Sequence, residues 1–169
     1  MAPKTVLVTG CSAGGIGAAI ALSLAKRSHH VFATVRNASK IPPELSSLPN
    51  VTVLSLDVKS PASVAEAVQA VAASGRTLDV LVNNAGAGYS APVLDIDIEE
   101  AKQVYDANVW GVVRVIQAFA DQLIKSKGRI VNMSSCGAAV NTPWICTYLA
   151  LYCFRDSFCC HPFSSPVVL

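Results

Sequence analysis

Apolar and polar positions along this chain alternate between two rhythms. Thr5 to Thr9 is a short β-branched run, apolar on both faces, as a strand inside a parallel sheet requires. A glycine cluster follows, and Ala18 to Arg27 reads as a helix with Lys26 and Arg27 in its last turn, beside the negative end of the helix dipole. His30 to Val35 predicts a second strand, Ile41-Pro42-Pro43 breaks the chain, and Val51 to Leu56 predicts a third strand that ends at Asp57. Ser60-Pro61 carries a helix start, with Ser as N-cap and Pro at the first helical position. Val64, Val68 and Val71 recur at helical spacing until Gly75 closes that helix. Leu78 to Val82 predicts strand four. A long helical stretch then places Val109, Val112, Val113, Ile116, Phe119 and Leu123 on one face, Gly128 ends it, and Arg129 to Met133 predicts strand five.

Strands alternating with helices imply parallel βαβ units wound on both sides of one sheet. The fold class is therefore α/β, a Rossmann-type doubly wound parallel sheet. A length of 169 residues suits one domain with a substantial core. The composition, 52% apolar and 14% charged, suits a buried sheet, and a net charge of +2 gives no reason to expect nucleic acid or an anionic membrane as partner. Residues 6 to 25 are apolar enough to suggest a membrane span, but four glycines, a Ser and a Thr clustered there fit a strand, turn and helix better. No transmembrane segment is expected. Six cysteines, at 11, 136, 146, 153, 159 and 160, form no CxxC pair and have no His at zinc-finger spacing. With no signal peptide visible, they read as reduced thiols of a cytoplasmic protein, each a small buried hydrophobe, and no metal site is expected.

Four short motifs carry the candidate chemistry. Thr9-Gly10-Cys11-Ser12-Ala13-Gly14-Gly15-Ile16-Gly17 lies between a strand and a helix. Glycines there let the backbone turn sharply and approach a pyrophosphate, while the helix N-terminus supplies partial positive charge. Asn83-Asn84-Ala85-Gly86 ends strand four and taken alone is an ordinary polar turn. Asn108 falls in the long helix, where Asn is an indifferent former that usually faces solvent. Ser134-Ser135 lies just past strand five, with Tyr148 thirteen residues beyond Ser135.

In that order and spacing, from Val6 to Tyr148, the chain resembles the short-chain dehydrogenase/reductase family. Within it the wording TGCSxGGIG is most similar to the fungal acyl-dihydroxyacetone-phosphate reductases, a branch in which the turn is one residue longer than the usual TGxxxGIG. The resemblance implies an oxidoreductase that moves hydride between a nicotinamide cofactor and a ketone or secondary alcohol, lipid-like or from secondary metabolism. It implies that Gly10, Ser12, Gly15, Ile16 and Gly17 shape the cofactor turn, that Asp57 and Val58 meet the adenine, and that Asn84 and Ala85 lie near a cofactor ribose. Ser135, with Ser134 beside it, would hold the substrate carbonyl oxygen, Tyr148 would give it a proton, and Asn108 would organise water behind them. It further implies a homo-oligomer paired through the long helix and the helix carrying Tyr148.

Cofactor choice also has a physical argument. An acid at the end of strand two would bind a ribose 2′-OH and repel a 2′-phosphate. Here the strand ends Ala33-Thr34-Val35-Arg36-Asn37, and a guanidinium suits a phosphate through paired hydrogen bonds. NADP(H) is therefore expected rather than NAD(H), with Arg36 as the discriminating residue.

One position departs from the family pattern. The motif is Tyr-x-x-x-Lys, and this chain reads Tyr148-Leu149-Ala150-Leu151-Tyr152. The absent Lys would lower the tyrosine pKa from its ordinary ~10 and bind the nicotinamide ribose. Loss of such a preorganised charge costs on the order of 10²–10³ in rate. Arg155, seven residues past Tyr148, lies about 10 Å along a helix axis, too far to replace it. After Tyr148 the resemblance stops, whereas relatives continue through two more strands and a substrate loop. The expected organisation is an NADP-binding unit over 1–148, truncated after the fifth strand and the Tyr-bearing helix, with a divergent tail over 149–169. Two further readings therefore accompany the reductase: a nucleotide-binding pseudoenzyme without turnover, or a truncated product.

Overall fold

The computed structural model describes residues 2–135 and Ile145. Five strands form one parallel sheet: β1 (Thr5–Val8), β2 (His30–Val35), β3 (Val51–Ser55), β4 (Val80–Asn83) and β5 (Arg129–Asn132), in the order β3-β2-β1-β4-β5. Register runs Thr5 opposite His30, Val6 opposite Val80, Val31 opposite Val51 and Val80 opposite Arg129. The expected doubly wound sheet is what the chain forms.

Because strand side chains alternate, each central strand feeds two cores. Val6 and Val8 of β1 join Val31, Ala33 and Val35 of β2 under α1 (Ile16–Lys26) and α2 (Pro43–Ser46). Leu7, Phe32 and Leu81 point the other way, against Val64, Ala67 and Val71 of α3 (Pro61–Ala73) and Val115, Phe119 and Leu123 of α5 (Gly111–Ser126). Each fully buried large side chain contributes about 1.5–3 kcal/mol of transfer free energy.

The helix ends follow the chemistry at them. Ser60 accepts the N–H of Ser63 and Pro61 opens α3, while Gly75 takes φ +71° beyond its end. Asp97 accepts the N–H groups of Glu99 and Glu100 to start α4 (Ile98–Tyr105). Gly128 does follow α5 (Gly111–Ser126), but for a reason other than a left-handed backbone. Lys127 takes that conformation at φ 51°, and a Cβ on Gly128 would lie 2.7 Å from the Asp79 carbonyl oxygen. Between α4 and α5 the chain makes a π-helical turn, Asp106–Trp110.

Candidate active site

The strand order reverses between β1 and β4. The chain leaves β1 toward α1 on one face and reaches α5 on the other face after β4, so a crevice opens beyond the carboxyl ends of these two strands. A cleft of about 470 Å³ occupies it, lined by the glycine turn, the end of β2, the segment after β3, the loop after β4 and one side of α4 and the π turn. Gly10, Ser12, Gly15, Ile16, Arg36, Asp57, Val58, Asn84 and Ala85 all line it.

The floor is the glycine turn. Gly10 at φ 76° and Gly14 at φ 74° hold backbone conformations that side-chain-bearing residues avoid. The Cys11 N–H donates to Thr34 O at 2.8 Å, and the Ala13 N–H donates to Lys40 O at 2.8 Å, fastening the turn to β2 and the segment after it. Gly15 is the N-cap of α1 with no side chain capping it, and the first turn of α1 holds no acid. The helix thus offers N–H donors and a dipole to an anion, with no fixed negative charge in that turn.

Thr9 and Asn84 brace this floor against β4. Thr9 Oγ1 accepts the N–H groups of Asn84 and Ala85, both at 2.9 Å. Asn84 Nδ2 donates to the carbonyls of Thr9 (2.8 Å) and Gly10 (3.1 Å). A Cβ on Gly10 would come within 2.9 Å of Ala85 Cα, and one on Gly17 would run into Asn84 Nδ2. The amide of Asn84 is thereby committed to the turn.

At the other end, Arg36 is exposed where β2 stops. The Asp57 carboxylate accepts the Lys59 N–H at 3.0 Å, and the Asp57 N–H donates to Ser63 Oγ at 3.0 Å, which fixes the segment after β3. Lys59 Nζ donates to Gln103 Oε1 at 2.9 Å across the rim. A dinucleotide phosphate fits this donor set: Gly10 and Gly15 lining the cleft without side chains, an unblocked helix N-terminus, and a guanidinium instead of a carboxylate beyond β2.

Asn108 departs from the solvent-facing helical Asn that its type suggests. It is fully buried in the π turn, with Oδ1 accepting the Ala87 N–H at 2.7 Å and Nδ2 donating to Ala87 O at 2.8 Å. π turns insert a residue into a helix and re-aim side chains, often at functional sites. Ser134 is exposed and Ser135 half-buried just beyond β5. There Asn83 Nδ2 donates to Asn132 Oδ1 at 2.9 Å and ties the ends of β4 and β5. Tyr148, Tyr152 and Arg155 lie outside the described residues.

Sequence reasoning passed over Thr9 as a brace and Lys59, Gln103, Val104 and Ala107 as lining. The position of Thr9 before Gly10 was a usable signal. The α4 residues were not, because nothing in their spacing tells which helix face meets a cleft.

Residues 4–151 match the family model for short chain dehydrogenase. The chain is 46% identical over 146 residues to a short-chain dehydrogenase of Talaromyces islandicus, covering 86% of this chain and 51% of that protein. It is 44% identical over 135 residues to the NADPH-dependent 1-acyldihydroxyacetone phosphate reductase of Schizosaccharomyces pombe, covering 79% of this chain and 45% of that one. Among solved structures, it superposes on an actinorhodin polyketide ketoreductase variant with NADPH at a TM-score of 0.85 and 29% identity, over 92% of this chain and 62% of that one. The chain spans about half the length of the curated relatives it matches. With glycine turn, NNAG loop and switch-point cleft assembled as described, this chain belongs to the short-chain dehydrogenase family of oxidoreductases.

Proposed function

We propose that the cleft binds NADP(H) and that the protein transfers hydride between it and a ketone or secondary alcohol, of a lipid-like or secondary-metabolite kind. The observation that carries this reading is the pairing of an acid-free α1 N-terminus with Arg36 at the end of β2, both lining one cleft. The bound cofactor supplies the hydride. Gly10, Ser12, Gly15, Ile16 and Gly17 form the cradle for its pyrophosphate, and Arg36 pairs with the 2′-phosphate. Asp57 and Val58 face the adenine, while the backbone of Asn84 and Ala85 faces a ribose. Ser135 is the half-buried member of the serine pair, which supports it over exposed Ser134 as the residue that holds the substrate oxygen. Tyr148 would deliver the proton, with Asn108 fixing the loop beneath the reacting end. The fungal reductase named above as NADPH-dependent and the NADPH-bound ketoreductase support the same cofactor.

Position 152 favours a second reading, a module that holds NADPH with little turnover, because a phenol stands where the family places a cation. One experiment addresses both. NADPH and NADH are titrated by fluorescence into the wild-type chain and Arg36→Asp, and NADPH consumption is followed with a ketone. The wild type should prefer NADPH and Arg36→Asp should lose most of that preference; equal wild-type affinities sink the assignment. Binding with feeble consumption identifies the second reading, and consumption at the rate of an intact relative rejects it.

A further inference from the structure

Two segments outside the sheet wall the cleft at its Arg36 end. One is the run after β3 that contains Leu56, Asp57 and Val58; the other is α4 and the π turn, through Val104 and Ala107. Neither wall is a sheet strand, so the ladder that fixes β2 and β3 does not fix the distance between them. One side chain bonds to both of them at once. Arg114, on the first turn of α5 and half-buried, donates through Nη1 to the Val58 carbonyl at 2.6 Å and through Nη2 to the Asp106 carboxylate at 3.0 Å. Val58 belongs to the first wall and Asp106 opens the π turn of the second. Gly111 allows this approach, since a Cβ there would stand 2.8 Å from Val58 Cγ2.

We propose that Arg114 is a positioning residue that sets the width of the adenosine end of the cofactor cleft by tying the Val58 wall to the Asp106 wall. Its planar fork meets both acceptors at once, and both bonds are charge-assisted and part-buried, the Arg114 and Asp106 side chains being 26% and 34% exposed. Lys59 and Gln103 close the same two walls at the rim, but through one bond to an exposed Gln103 side chain, where water competes for it. The tie at Arg114 therefore dominates. The inference rests on the cofactor reading above, because the width it sets matters only if an adenosine sits between the walls.

The test divides the cofactor. The wild type, Arg114→Met and Asp106→Ala are titrated calorimetrically with NADPH, with adenosine 2′,5′-bisphosphate and with nicotinamide mononucleotide, and thermal unfolding is recorded in parallel. Arg114→Met should bind the adenosine bisphosphate and NADPH roughly tenfold more weakly. Its affinity for the mononucleotide, whatever its size in the wild type, should stay unchanged. That split distinguishes a tie at one end of the cleft from a general loss of structure, which would weaken both halves. Unchanged binding of the adenosine bisphosphate by folded Arg114→Met overturns the proposal, as does an equal loss of both halves. Should Arg114→Met not fold, Asp106→Ala decides: it cuts one arm of the tie and should weaken the adenosine half in the same direction, and no change there overturns the proposal too. A wild-type chain that binds neither NADPH nor the bisphosphate overturns the cofactor reading itself, and this inference falls with it.

Discussion

Cys11 occupies the glycine turn yet contributes nothing to the surface of the cleft. Its side chain is fully buried, and Sγ donates to the Val8 carbonyl at 3.3 Å, directed back into the core beneath β1. Burial pushes the thiol pKa up to about 12, against which a backbone hydrogen bond at Thr34 pulls only partway back. At neutral pH the thiolate fraction is then on the order of 10⁻⁵, and the thiolate is the reactive form. Its place in the glycine turn therefore gives this cysteine no chemistry. Peptide mapping after iodoacetamide at pH 7 should find Cys11 unmodified in the native chain and fully modified once guanidinium is added. Native modification at the rate of a free thiol would contradict the packing described. Arg36 differs, lying outside the glycine motif at an exposed strand end. Only the end-of-strand exposure of Arg36 lets its charge reach a ligand.

At the scale of elements, the cradle works by interlock rather than by flexibility. β1 ends in the glycine turn, β4 ends in Asn84, and the two meet because neither Gly10 nor Gly17 has a side chain. Gly17→Ala should therefore act on both. Its methyl would run into Asn84 Nδ2 and stand 2.5 Å from the Gly10 carbonyl oxygen, displacing the amide that braces the turn. The expected cost is ~1–3 kcal/mol of stability, typical of overpacking, together with weaker NADPH binding. Urea denaturation and the same fluorescence titration would measure both; wild-type values in each would mean the contact relaxes freely. Elements like this one were legible because glycine and strand patterns carry their own steric reason, and β2 has the expected limits, His30–Val35. The short α2 was not, since Ile41-Pro42-Pro43 reads as a break while Pro43 in fact opens a four-residue helix, where its missing N–H costs nothing. The face of α5 was half legible. Val112-Val113-Arg114-Val115-Ile116 is apolar on most sides, so periodicity admits more than one phase, and packing buries Val115 fully rather than Val113. The burial of Asn108 in the π turn had no signal in the pattern, because its partner Ala87 lies in a distant loop that local periodicity does not report.

Across the described residues, the cleft and a second polar cluster lie at opposite ends of the strands. Every lining segment of the cleft sits at the carboxyl ends of β1 to β4, while the amino ends carry a polar cluster of a different kind. There Asp79 accepts the Thr5 N–H and pairs with Lys4, and the Lys4 N–H donates to His29 Nδ1. His30 shares a hydrogen bond with Thr52 Oγ1 at 3.2 Å and sets its ring edgewise on Phe32, centroids 4.9 Å apart. Burial lowers the His30 pKa below its ordinary 6.5, and the positive charge of Arg76 lowers it further. A histidine whose folded pKa is depressed binds its proton more readily in the unfolded chain. Stability from this group is thus fully present above pH 6.5 and declines as pH falls from there to the folded pKa, below which it is lost. The urea midpoint should fall between pH 7.5 and pH 5.5 in the wild type, and His30→Gln, which keeps a polar partner for Thr52 but cannot titrate, should flatten that fall. NADPH affinity measured at pH 7.5 should be the same in both proteins, since His30 is at the opposite end of the sheet from the cleft. A midpoint in the wild type that stays level over this range, or a His30→Gln variant as acid-sensitive as the parent, would show that the titration of His30 does not feed into the stability of the fold.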